Sequence, residues 1–209
     1  MKTVTVIDYG MSNLRSVSKA LEHVAGNDWN VKVSDKAEVI LHADKVVFPG
    51  QGAIGNCMTL LKQTGVTEVI RQALDNKPFL GICLGLQTLL THSEESGGTA
   101  GFNWTSGTVR RFIEPPSGER LKIPHMGWNQ VQHAQTHPLW TDIPDNSRFY
   151  FVHSYYVAPE ENRIIAGTTP YGGIHFTSAV ARDNVFAVQF HPEKSQHVGL
   201  TLLKNFLDW

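Results

Sequence analysis

Residues 78–91 read Pro78-Phe79-Leu80-Gly81-Ile82-Cys83-Leu84-Gly85-Leu86-Gln87-Thr88-Leu89-Leu90-Thr91. Pro78 to Ile82 has the length and apolar character of a buried strand, and Leu84 to Thr91 follows with apolar residues at helical spacing. Between them Gly81 and Gly85 stand two residues either side of Cys83. A strand that turns sharply into a helix crowds its own backbone, and glycine at those two places removes the Cβ atoms that would clash. The pattern resembles a nucleophile elbow with cysteine in place of serine. It leaves a thiol exposed at a helix N-terminus, where free amide groups and the macrodipole favour the reactive thiolate. A free cysteine is more commonly a small buried hydrophobe. Cys57, in a helical pattern with Leu60 and Leu61, fits that description, whereas a core cysteine would not need the glycines that flank Cys83.

Upstream of the elbow, short β-branched runs alternate with helical patterns. Thr3 to Ile7 is followed by a helix from Ser12, its N-cap, to His23. Then come strands at Trp29 to Val33 and Lys45 to Phe48, helices within Ala53 to Asn76, and the strand Phe79 to Ile82. This alternation predicts parallel strands covered by helices. From about Ser106 the character changes. Runs at Gly107 to Phe112, Lys122 to His133, Arg148 to Val157, Ile164 to Thr168, Ile174 to Ala181 and Val185 to Phe190 are close enough for antiparallel hairpins, with Arg182-Asp183-Asn184 as one turn. The fold class is α/β, with a mixed, largely parallel central sheet flanked by helices and an antiparallel C-terminal portion. Gln196 to Trp209 carries Val198, Leu202, Leu203, Phe206 and Leu207 as an apolar stripe for the sheet. Pro115-Pro116-Ser117-Gly118 is the best break in the chain but is short enough for a loop, so residues 1–209 are expected to form a single domain.

Composition narrows the function. With 41% hydrophobic and 18% charged residues, a chain of 209 residues can bury a real core. A formal net charge of -1 supplies no basic field for nucleic acid or an anionic membrane, and a small-molecule substrate becomes the expectation. No segment approaches the roughly 18 apolar residues of a membrane span, and the first apolar run ends at Asp8, too short for a signal segment. Two cysteines make no multi-bridge framework, so a cytoplasmic, reducing setting is expected. His133 and His137 straddle a loop before Pro138, and no metal site or other cofactor is expected. Glu94-Glu95 and Glu160-Glu161 read as solvated loop residues, and Phe149, Tyr150, Phe151, Tyr155 and Tyr156 as β-core and cross-strand partners.

A cysteine nucleophile needs a base that takes its proton and later protonates the leaving amine. Among ten histidines, His191 is singled out because it follows the strand Val185 to Phe190 and precedes Glu193 by two residues. The end of a strand is where an α/β sheet places ligands. A carboxylate there can hold the imidazole in its productive tautomer and stabilise the imidazolium, although many such pairs are merely surface ion pairs. A third strand end, Phe48-Pro49-Gly50-Gln51-Gly52-Ala53, spells G-x-G-x-x-G with Gly55. It follows the third strand rather than the first, and Glu68, about twenty residues on, falls in a helical pattern, so a dinucleotide site is rejected. The same glycines would let backbone amides approach an oxyanion.

Three separated motifs, Pro49-Gly50-Gln51-Gly52, Gly81 to Gln87, and Phe190-His191-Pro192-Glu193, resemble those of class I glutamine amidotransferases, in that family's order and across nearly the whole chain. The resemblance implies a flavodoxin-like fold and glutamine as substrate. It implies Cys83 as nucleophile, His191 as acid/base and Glu193 as its orienting partner. Backbone amides of Gly50, Gln51, Gly52 and Leu84 would form the oxyanion hole, and Gln87, Ser154 and Tyr155, with Gly52, would hold the glutamine amino and carboxylate groups. Many relatives carry valine where this chain has Gln51. Asp8-Tyr9-Gly10 with Asn13-Leu14, Pro124 to Asn129, and Phe151 to Tyr155 resemble the members that serve histidine biosynthesis. There the partner is a TIM-barrel cyclase in a heterodimer, which uses the ammonia on a phosphoribulosyl aminoimidazole carboxamide. The competing readings are a stand-alone cysteine hydrolase, a regulatory subunit that merely keeps the fold, and a glutaminase subunit serving another synthase or surface-sugar amidination.

Overall fold

The computed structural model describes residues 1–10, 14–114 and 120–209. Ser12 as a helix cap, Asn13, and the Pro115 to Gly118 break therefore lie outside the described residues. The first half follows the expected alternation: β1 (Lys2–Ile7), α1 (Leu14–Ala25), β2 (Trp29–Ser34), α2 (Ala37–His42), β3 (Lys45–Gly50), α3 (Ile54–Thr64), α4 (Thr67–Asn76) and β4 (Phe79–Cys83). The second half runs α5 (Leu84–Gln87), β5 (Leu90–Ser93), β6 (Thr99–Ala100), β7 (Thr105–Arg111), β8 (His125–His133), β9 (Ser147–His153), β10 (Tyr155–Pro159), β11 (Ile165–Tyr171), β12 (Ile174–Arg182), β13 (Val185–Val188) and α6 (Gln196–Asp208).

Strands β2, β1, β3, β4 and β13 lie side by side and all run parallel. From β13 the sheet continues through antiparallel β12, β10 and β7, with β11, β8 and β9 branching from β12. The sheet is thus mixed and largely parallel at its centre. On one face α1 and α6 pack together through Val17, Leu21, Leu202, Leu203 and Phe206. The other face is covered by α2, α3 and α4 through Ile40, Ile54, Leu61 and Ile70. Both faces are closed over apolar strands, as a parallel sheet requires.

Two sequence expectations need correction, and one helix was not expected. The helix after Cys83 stops at Gln87 rather than Thr91, because the carbonyls of Thr88, Leu89 and Leu90 accept hydrogen bonds from Phe102, Trp104 and Asn103 instead of continuing the helix. Arg148 to Val157 is two strands, broken at Ser154, since β9 pairs with β8 whereas β10 pairs with β7 and β12. Helix α2 carries no sequence signal, being only six residues long and too short to show a period.

The parallel register brings the C-terminal ends of three strands level: Gly50 pairs with Cys83, and Val188 with Ile82. The elbow is wedged there by close approach. A Cβ on Gly85 would lie 2.0 Å from the Phe48 carbonyl oxygen, and one on Gly81 would lie 2.9 Å from the Ala187 Cβ. Neither neighbour is a flexible side-chain tip. Gly85→Ala is expected to cost about 2–4 kcal/mol in stability. Urea denaturation followed by circular dichroism checks this, and a loss below about 0.5 kcal/mol would mean that the elbow opens freely.

Candidate active site

Cys83 sits between β4 and α5 with φ 55 and ψ -104, a conformation an L-residue adopts only under constraint. The constraint comes from the β3–β4 register and the two glycine contacts. The following helix is a single turn of four residues, so its dipole supports a thiolate less than a long helix would. A different donor reaches the sulfur: Gln189 Nε2 lies 3.5 Å from Cys83 Sγ. Cys57 sits elsewhere, away from the elbow. It is fully buried within α3, and burial pushes its thiol up to about 12, with a Tyr9 hydrogen bond opposing.

His191 follows β13 at the start of a tight turn over Pro192 to Lys194. Its Nδ1 is 2.8 Å from Glu193 Oε1, and both side chains are buried, at 1% and 0% exposure, which excludes the surface ion pair as a description of this contact. The backbone is pinned on both sides: His191 N–H donates to the Tyr150 carbonyl at 2.9 Å, and Ser195 Oγ donates to the His191 carbonyl at 2.6 Å. Burial disfavours a charged ring here. Charge and hydrogen bonding from Cys83 and Glu193 outweigh it and push the His191 pKa up to about 10. Such a pair can hold the proton that the sulfur loses.

Cys83 and His191 share a cavity of about 630 Å³ with Gln51, Gly52, Leu84, Gln87, Ser154 and Tyr155. Gly50 and Glu193 do not line it. Gly50 lies beneath the loop, where a Cβ would meet the Tyr9 hydroxyl and Leu84, and Glu193 stands behind the imidazole. Gly52 has φ +85, a value that favours glycine. Most of the residues picked out from the sequence are thus brought together by the fold.

Sequence reasoning missed several contacts at and around the cavity. Glu95, read as solvated, reaches back across 41 positions to accept the Ile54 N–H of α3 at 2.8 Å. Glu94 likewise accepts the Arg111 N–H at 3.1 Å. Neither contact has a local sequence signal. Gln189 had one: a fully buried amide at the end of an otherwise apolar run, two residues before His191.

From His153, which lines the cavity, a polar chain runs inward to His125 and on to Asn129. Asn129 Nδ2 is 3.2 Å from His125 Nε2, His125 Nδ1 is 2.9 Å from His153 Nε2, and His153 Nδ1 is 2.7 Å from the Tyr155 carbonyl. A carbonyl only accepts, so His153 Nδ1 carries a proton, its Nε2 accepts from His125 Nδ1, and His125 Nε2 accepts from Asn129. Both rings are therefore neutral. Burial pushes His125 down to about 4; burial, against the bond to the Tyr155 carbonyl and aided by the repulsion a proton on His153 would meet from His125 and His191, takes His153 to about 3. Among the described residues no group of three or more His, Cys, Asp or Glu is placed to hold a metal, and no helix is long and apolar enough to cross a membrane.

This fold has counterparts. A putative GMP synthase protein from Thermoplasma acidophilum superposes with a TM-score of 0.71 at 19% identity, covering 100% of this chain and 93% of that one. A glutamine amidotransferase from Thermotoga maritima superposes at 0.64 and 18% identity, covering 99% and 83%. The class I glutamine amidotransferase pattern matches residues 5–209, and the chain belongs to that family. Within it the chain is 54% identical over 208 residues to imidazole glycerol phosphate synthase subunit HisH of Hydrogenovibrio crunogenus, covering 100% of this chain and 97% of that protein. It is 52% identical over 210 residues to the protein of the same name in Neisseria meningitidis, covering 98% of each.

The neutral histidines make a pH prediction. On unfolding each ring returns to its ordinary value of 6.5, so below that pH the unfolded chain binds protons that the folded chain refuses. Their contribution is fully present above about pH 6.5 and is lost as the pH falls toward 4. By about pH 5 the loss should be roughly 2 kcal/mol per ring. Urea denaturation at pH 7 and pH 5 should show a smaller loss in His125→Gln, which keeps a donor and an acceptor, than in the wild type. Equal losses in both proteins would contradict the neutral pair.

Proposed function

We propose that this chain, acting as one domain over residues 1–209, is the glutaminase subunit of imidazole glycerol phosphate synthase in histidine biosynthesis. The carrying observation is a cysteine on a strained elbow that shares a cavity with a buried His191–Glu193 pair. Full-length relatives named HisH, at just over half identity, support the choice of synthase.

In this reading the Cys83 thiolate attacks the glutamine carboxamide carbon. Negative charge gathers on the carbonyl oxygen, where backbone amides of the Gly50-Gln51-Gly52 loop and Leu84 would receive it. His191 gives its proton to the departing ammonia, leaving a Cys83 thioester, and then deprotonates the water that hydrolyses it to glutamate. Glu193 keeps Nδ1 occupied, so that the opposite nitrogen faces the reaction. Gln87, Ser154 and Tyr155 would bind the amino and carboxylate ends of the substrate. The ammonia would pass to a TIM-barrel, HisF-like cyclase in a heterodimer, which converts the phosphoribulosyl intermediate PRFAR to imidazole glycerol phosphate and an aminoimidazole carboxamide ribotide (AICAR). A cytoplasmic setting agrees with two free, buried cysteines.

A glutamine-analogue electrophile should label Cys83 and leave Cys57 unmodified, as read by peptide mass spectrometry. His191→Ala should lower glutaminase kcat by at least about 10³-fold and Glu193→Ala by less, because the carboxylate only orients the ring. In the assembled synthase, Cys83→Ala should abolish glutamine-dependent product formation and retain formation from ammonium salts. Loss of both activities in a well-assembled complex would refute the division of labour, and glutamine turnover by Cys83→Ala would refute the nucleophile.

A further inference from the structure

Gln189 is fully buried directly after β13, at the end of a strand whose other side chains are apolar. An uncharged amide in such a place is costly unless both of its ends are bonded. Both are: its Oε1 accepts from Gln87 Nε2 at 3.0 Å, and its Nε2 reaches Cys83 Sγ at 3.5 Å. Gln189 reaches the Cys83 sulfur, and His191, two residues on, lines the same cavity as Cys83.

The sense of the amide is forced by its neighbours. The Tyr155 carbonyl, which already accepts from His153, also accepts from Gln87 at 3.0 Å. A carbonyl cannot donate, so Gln87 must present its NH₂ there, and the second hydrogen of that NH₂ goes to Gln189. Gln189 must then turn its oxygen to Gln87 and its NH₂ to the sulfur. The donor facing Cys83 is set by a chain of hydrogen bonds that begins at a backbone atom.

We propose that Gln189 is a positioning residue for the Cys83 sulfur, donating one hydrogen bond to the thiolate while its oxygen holds Gln87 at the cavity wall; this rests on Cys83 being the nucleophile. A hydrogen bond to the charged form favours that form, and a single donor aims the sulfur along one direction. The bond also joins the attacking atom to a residue that lines the substrate cavity, since Gln87 does so. His191 also faces the sulfur, with Glu193 behind it, so a change at Gln189 reaches the imidazole through Cys83.

Two variants separate the two ends of the amide. Gln189→Glu keeps an acceptor for Gln87 and places a carboxyl group against the sulfur, and Gln189→Met removes both bonds in a similar volume. Two measurements are made on the full chain and on its complex with the synthase partner: iodoacetamide alkylation of Cys83 against pH, resolved by peptide mass spectrometry, and glutamine turnover. In both variants the half-maximal alkylation pH should rise by about one unit and kcat should fall about tenfold or more, the size expected for one bond to a charged group. KM should stay within about threefold in Gln189→Glu and rise further in Gln189→Met. Folded variants with an unmoved alkylation profile and wild-type kcat would overturn the proposal. If Cys83→Ala still turned over glutamine, the functional reading itself would fail, a result distinct from the first.

Discussion

The Phe48 carbonyl oxygen and Gly85 are so close that no side chain could stand between them, and the active end of the molecule depends on that approach. It docks the elbow of β4 onto β3, so Gly50 and Cys83 become lateral neighbours in the sheet. Docking of this kind leaves Cys83 with a positive φ, and the surrounding strands supply the packing that offsets the strain. With β13 aligned on the opposite side of β4, the imidazole of His191 arrives at the same level. Three strand ends thus bring a glycine loop, a thiol and an imidazole to one place without a long loop having to be ordered.

Hydrogen-bond direction is the second organising constraint. The Tyr155 carbonyl takes protons from His153 on one side and Gln87 on the other. From that acceptor the tautomers of two histidines and the sense of two amides follow in turn. A neutral, fully directed chain suits an interior where charge would be expensive. Charge is held instead by the buried His191–Glu193 pair, where the carboxylate and the neighbouring sulfur compensate it. Electrostatics therefore divides the site into a neutral chain through His125 and His153 and a charged pair of which only His191 lines the cavity.

The antiparallel half of the sheet serves the site as well as the core. The break at Ser154 is where the chain leaves the pairing of β9 with β8 and enters the pairing of β10 with β7, and Ser154 and Tyr155 face the cavity at that break. A local loss of ladder pairing has become a wall of the cavity. Glu95 acts at long range in the same manner, by capping the first amide of α3 directly after the glycine loop.

The elbow, the alternating first half, the glycine loop and the His191-Pro192-Glu193 turn were all legible in the sequence, because each is a local pattern whose residues are constrained by neighbours within a few positions. Sequence alone also set Cys83 apart from Cys57, since only Cys83 has a glycine two residues away on both sides. What it could not determine were contacts between distant segments. The length of the helix after Cys83 was decided by carbonyls captured by the amides of Phe102, Asn103 and Trp104, the division of Arg148 to Val157 by two different sets of partner strands, and the role of Glu95 by an amide 41 residues away. The burial of His191 with Glu193, the directed chain through His125 and His153, and the reach of Gln189 to the sulfur likewise exist only once β4, β13, β12 and β10 have taken their places in one sheet. Local sterics are written in neighbouring residues, whereas hydrogen-bond partners across the sheet are chosen by the register in which the strands pair.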